Sequence, residues 1–89
     1  MRIKVEQRHI DASNGSCFGC PVALALVEAF PGSRVSVWPE GVAYIRLDHF
    51  QPERHVYLGP ETTRWIERYD NSEPVEPFEF DLPDVDQAV

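Results

Sequence analysis

Eighty-nine residues make one domain, and a core of that size leaves stability marginal unless a disulfide, a metal ion or a second subunit reinforces it. The formal charge of −7 and the single lysine, Lys4, offer no basic patch to a phosphate backbone, so no direct nucleic-acid binding is expected. The chain has no charged-then-apolar start and no run of membrane-spanning length, so neither signal peptide nor membrane partner is expected; the protein reads as cytoplasmic, with reduced cysteines.

Charge is unevenly placed. Residues 1–66 balance seven acids with seven bases, whereas residues 67–89 set eight acids against Arg68 alone. The acidic end serves either to keep a small protein soluble or to occupy a basic site on a partner.

Met1 to Glu6 alternates, with Ile3 and Val5 on one face, and predicts a half-buried strand. Gln7 to Ala12 either continues it or makes a helical turn. Residues 13–16 are a loop by composition. Pro21 to Phe30 predicts a helix with Cys20 at its N-cap, Pro21 in the first turn and Pro31-Gly32 as its stop. Its only polar side chain is Glu28, so this helix is expected to be buried on more than one side.

Arg34 to Trp38 and Val42 to Leu47 predict a hairpin through Pro39-Glu40-Gly41. Asp48 to Glu53 is a loop, and His55 to Leu58 a third short strand. Pro60 opens a second helix to about Tyr69, with Thr62, Trp65, Ile66 and Tyr69 on its inner face. Val75 to Leu82 alternates again, as a last strand or an extended arm, and its prolines suit an edge.

The order β-α-β-β-β-α-β predicts an α+β fold, a mostly antiparallel sheet with two helices packed on one face. A single domain is expected over residues 1–83, followed by a frayed acidic tail over 84–89.

Cys17 and Cys20 form a CxxC at a helix start, and three readings stand. The pair holds a soft ion such as copper, or half a zinc site; or it exchanges disulfides, with the helix end depressing a thiol pKa; or both sulfurs are small buried packing groups. Further zinc ligands are not apparent, since His9, His49 and His55 lack metal-motif spacing.

A strand, a loop ending in CxxC, a helix and a Val35-Ser-Val37 strand resemble, over residues 2–47, the heavy-metal-associated domain of copper chaperones. That resemblance implies metal binding by Cys17 and Cys20. The chain departs from it in lacking the family's Met-x-Cys start and in placing Pro21 after the second cysteine. Over the full length, Cys20 to Ala25, Trp65 to Asp70 and Glu76 to Leu82 resemble a group of small uncharacterised proteins of actinobacteria and their phages. This second resemblance implies a phage-type accessory protein that binds a host protein in the host cytoplasm, with Cys20 the regular cysteine and Cys17 optional.

No catalytic constellation is apparent: there is no glycine-rich phosphate loop, no nucleophile-elbow serine and no paired carboxylates, so no enzyme and no cofactor is expected. The best binding candidate is the outer face of the three-strand meander. There, alternation places Arg34, Trp38, Tyr44, Arg46, His55 and Tyr57 together, residue types enriched where proteins meet. Two arrangements stand: the face binds a protein partner or a second copy as a homodimer, or Phe78 and Phe80 of the chain's own tail lie across it with Glu76, Glu79 and Asp81 answering the arginines. The expectation is a non-enzymatic interaction protein, with soft-metal binding and thiol–disulfide exchange as alternatives.

Overall fold

The computed structural model describes residues 1–14, 19–48 and 50–82. Among them the elements run β1 (Arg2–Val5), α1 (Gln7–Ala12), α2 (Pro21–Ala29), β2 (Arg34–Val37), β3 (Val42–Arg46), β4 (Arg54–Tyr57), α3 (Pro60–Asp70) and β5 (Phe78–Asp81). The fold is α+β, as the sequence predicts. Its strands, however, form two antiparallel sheets rather than one, β1 with β5 and β2-β3-β4 in order, and the described helices number three rather than two.

The extra helix is α1, built from the stretch that the sequence leaves undecided. Glu6 has extended backbone, and its N–H donates to His9 Nδ1 at 2.9 Å, which closes the first turn. At the other end the Ser13 hydroxyl donates to the Ile10 carbonyl at 2.7 Å. Both ends are therefore capped by side chains, which a six-residue helix needs because it cannot support itself on propensity alone.

Helix α2 starts as its sequence implies. Cys20 is the N-cap, its sulfur accepting the Ala23 N–H at 3.4 Å, and Pro21 occupies the first turn, where its missing N–H costs nothing. Only Glu28 of α2 is exposed; the rest is buried or half-buried. The helix packs against β1, β2 and α1. It lies where the two sheets meet, so β1 and β2 share a helix instead of a ladder.

One core results. Ile3 and Val5, Val22 and Leu26, Val35 and Val37, Ala43 and Ile45, Val56, and Trp65 and Ile66 belong to a single cluster. The hairpin turn between β2 and β3 is tight: the Gly41 N–H donates to the Trp38 carbonyl at 2.9 Å, and Gly41 has φ +84°. A Cβ there would also fall 2.0 Å from Thr63 Oγ1, so glycine satisfies both the left-handed backbone and the approach of α3.

The tail is a true strand at a sheet edge. Ile3 pairs with Phe80 and Val5 with Phe78 on the core side, while Arg2 pairs with Asp81 and Lys4 with Glu79 outside. Those outer pairs are ionic, Arg2 to Asp81 at 3.0 Å and Lys4 to Glu79 at 4.0 Å. The strand is shorter than Val75 to Leu82, covering Phe78–Asp81, because the residues between Asn71 and Phe78 run over α3. There the Trp65 indole N–H donates to the Glu76 carbonyl at 2.9 Å and Arg68 donates to the Pro74 carbonyl at 2.8 Å. The predicted frayed tail, 84–89, lies outside the described residues. No helix among those described is long and apolar enough to cross a membrane.

Candidate functional site

The β2-β3-β4 sheet presents one face to the core and one outward, set by alternation and register. Val35 pairs with Ile45, and Val37 with Ala43 and through it Val56; all are buried. On the other side the rows are Arg34 opposite Arg46, then Ser36, Tyr44 and His55 in line, then Val42 beside Tyr57. Trp38 extends this last row, its N–H donating to the Val42 carbonyl at 3.0 Å.

Aromatic rings interlock along this outer face. Tyr44 meets the Trp38 ring edge-on at 6.2 Å and the His55 imidazole edge-on at 4.4 Å. Such perpendicular contacts suit the ring quadrupoles and fix the tyrosine between its neighbours. Trp38 nevertheless remains 42% exposed and Tyr57 57%.

Arg34, Trp38, Tyr44 and Arg46 line a cleft of about 450 Å³ that straddles β2 and β3, with Ser36 in its floor and Glu53 on its wall. The structure thus brings four of the six predicted binding residues into one concavity. His55 joins it through its ring contact with Tyr44, and Tyr57 shares the face without lining the cleft. The sequence predicts a loop at Glu53. Its parity with His55, two residues on, would have put it on this face, and Glu53 Oε1 lies 3.8 Å from His55 Nε2. Phe50, in the same loop, is 97% exposed and carries no sequence signal beyond its isolation among polar neighbours.

Among the described residues, the segment 75–82 does not line the cleft. Phe78 stacks on Trp65 at 4.6 Å and on Phe80 at 5.7 Å, and the Glu79 and Asp81 carboxylates meet Arg2 and Lys4. The intramolecular arrangement considered from the sequence is therefore replaced by one in which β5 pairs with β1, whose bases sit opposite its acids.

The cysteine readings fare differently. Cys20 is buried, 6% exposed, and its sulfur accepts the Ala23 N–H at the start of α2. Cys17 lies outside the described residues, as does His49. Among the described residues no group of three or more His, Cys, Asp and Glu side chains is placed to hold a metal ion.

A second polar cluster ties α1 to α2. Arg8 donates through Nη1 to Glu28 Oε2 at 2.6 Å, through Nη2 to Glu28 Oε1, and through Nε to Glu6 at 2.7 Å. His9 is buried; because its Nδ1 accepts the Glu6 N–H, its Nε2 carries the proton and donates to Glu28 Oε2 at 3.0 Å. The paired guanidinium, with help from the imidazole, draws the Glu28 carboxyl down to about 2. These bonds clamp α1 to α2.

Compared with protein-family models, curated proteins and solved structures, the chain matches none.

Proposed function

We propose that this is a non-enzymatic interaction protein that binds a protein partner, or a second copy of itself, through the outer face of β2-β3-β4. The observation that carries the reading is exposed Trp38 and Tyr57 and half-buried Tyr44 beside Arg34 and Arg46. An exposed aromatic face beside guanidinium groups costs solubility unless something uses it, and Trp, Tyr and Arg dominate binding energy at protein interfaces. An accessory role of phage type, acting on a host protein, is consistent with this reading and with the full-length resemblance noted from sequence.

Sedimentation velocity of the purified protein, together with capture by the immobilised protein from lysate of its native cell, tests it. The double variant Trp38→Ala, Tyr44→Ala, with an unchanged circular dichroism spectrum, is expected to lose the association. A folded double variant that associates as the parent does would overturn the proposal.

A further inference from the structure

The register places two like charges directly opposite one another, Arg34 on β2 and Arg46 on β3. Cross-strand neighbours stand about 5 Å apart at Cβ, and like charges at that spacing oppose strand pairing. Three other bases are answered by acids: Arg2 meets Asp81, Lys4 is near Glu79, and Arg8 holds Glu28 and Glu6, whereas exposed Arg64 makes no ion pair among the described residues. Among the described residues Arg34 and Arg46 make no ion pair and no side-chain hydrogen bond. Among the described residues Glu53 is the one carboxylate that lines their cleft, and its Oε1 lies 3.8 Å from His55 Nε2.

We infer that the partner of this face presents an acidic, extended segment, with two carboxylates for Arg34 and Arg46 and an apolar or aromatic side chain packed against Trp38 and Tyr44. The inference rests on the outer face being the binding surface, and adds the chemistry of what it binds. Guanidinium groups match carboxylates with paired, charge-assisted hydrogen bonds, and a bound acid would turn the mutual repulsion of the arginines into shared attraction. The rings beside them supply the apolar contact that gives such a site affinity beyond its charge.

Two other occupants fit less well. A twofold pairing of this face with itself, centred on the cleft, would gather four arginines in one interface. A nucleic acid would bring a phosphate for every nucleotide to a chain of net charge −7, whereas a peptide brings only the two charges that the site answers.

The test is fluorescence anisotropy with the full-length protein and a labelled, end-blocked peptide with two acids, Gly-Asp-Ser-Phe-Ser-Glu-Leu-Gly. Its Asn/Gln counterpart and a ten-residue oligothymidylate serve as competing probes. The acidic peptide is expected to bind, to weaken as salt rises from 50 to 500 mM, and to lose about fivefold to tenfold in affinity with Arg34→Gln or Arg46→Gln. The neutral peptide is expected to bind far more weakly. Equal binding of the two peptides, no loss in either arginine variant, or tighter binding of the oligonucleotide would each overturn the inference. So would no binding of the acidic peptide at millimolar concentration. If the Trp38→Ala, Tyr44→Ala variant still loses partner or self-association in such a case, the face remains the binding surface and only its acidic partner is refuted. If that variant associates normally, the binding surface itself is refuted.

Discussion

Trp65 and Phe78 lie nearly parallel, 4.6 Å between ring centres and 23° between planes. This stack, with the bond from the Trp65 indole to the Glu76 carbonyl, fastens the final strand to α3 before it pairs with β1. Trp65 is 6% exposed. Trp65→Ala removes the stack, the hydrogen bond and a large buried side chain, so it is expected to cost about 3–5 kcal/mol, as buried aromatic truncations do. Urea unfolding reads this as a lower midpoint. Phe78→Ala, at a half-buried position, should cost less than Trp65→Ala and loosen β5 first, seen as faster amide exchange at Phe80.

Glu28 gives the fold a sensitivity to acid. Its carboxyl titrates near 4.5 when free and is drawn down to about 2 in the folded chain, chiefly by hydrogen bonds from Arg8 and secondly from His9. A depressed folded-state pKa means that the stabilisation is complete above pH 4.5 and is lost as pH falls towards 2. The pair is solvent-exposed, so salt is expected to weaken the effect. Melting temperatures measured from pH 6 to pH 2 should show a shallower acid slope for Glu28→Gln than for the parent. An identical slope would remove Glu28 from the account of acid stability.

Most of the fold was legible because its longer elements carry a clear period. In α3, Thr62, Trp65, Ile66 and Tyr69 turn inward at helical spacing, and Val35 and Val37 in β2 and Ala43 and Ile45 in β3 alternate with polar or aromatic residues. The same alternation displays the outer face. What stayed hidden was long-range or too short to have a period. Nothing local in residues 2–5 says that their partner is 78–81, at the other end of the chain, so the division into two sheets could not be read. Gln7–Ala12 spans under two turns, and a histidine rather than a glutamate answers the N-cap amide, a substitution that the usual capping pattern does not anticipate. Glu53 was missed because Pro52 broke the strand reading one residue before its side chain mattered.

Helix α3 ends in a motif with room for improvement. The Glu73 N–H donates to the Arg68 carbonyl and the Ser72 N–H to the Tyr69 carbonyl, each at 3.0 Å, the paired bonds of a Schellman ending. That geometry places Ser72 at φ 61°, a left-handed conformation in which a side chain is strained and glycine is not. Ser72→Gly is therefore expected to raise stability by about 0.5–1 kcal/mol despite the added freedom of the unfolded chain, because the relief of strain exceeds that entropy. Differential scanning calorimetry should show a higher melting temperature, and a lower one would mean that the left-handed turn at Ser72 is not kept in solution.

The two tryptophans separate stability from binding. Trp65 is enclosed by Phe78 and Tyr69, whereas Trp38 leans on one edge-on tyrosine and is 42% exposed. A cross-strand contact of that kind contributes about 0.2–1 kcal/mol, so Trp38→Ala should leave the unfolding midpoint nearly where it was. The same substitution removes the largest ring of the cleft, and a central aromatic anchor typically costs 2 kcal/mol or more on truncation, about thirtyfold in affinity. Paired measurements of urea midpoint and binding on Trp38→Ala and Trp65→Ala should therefore cross over: the first variant folds well and binds poorly, and the second folds poorly. If Trp38→Ala instead proves as destabilised as Trp65→Ala, the outer face is part of the core's support and its aromatic rings have a structural role.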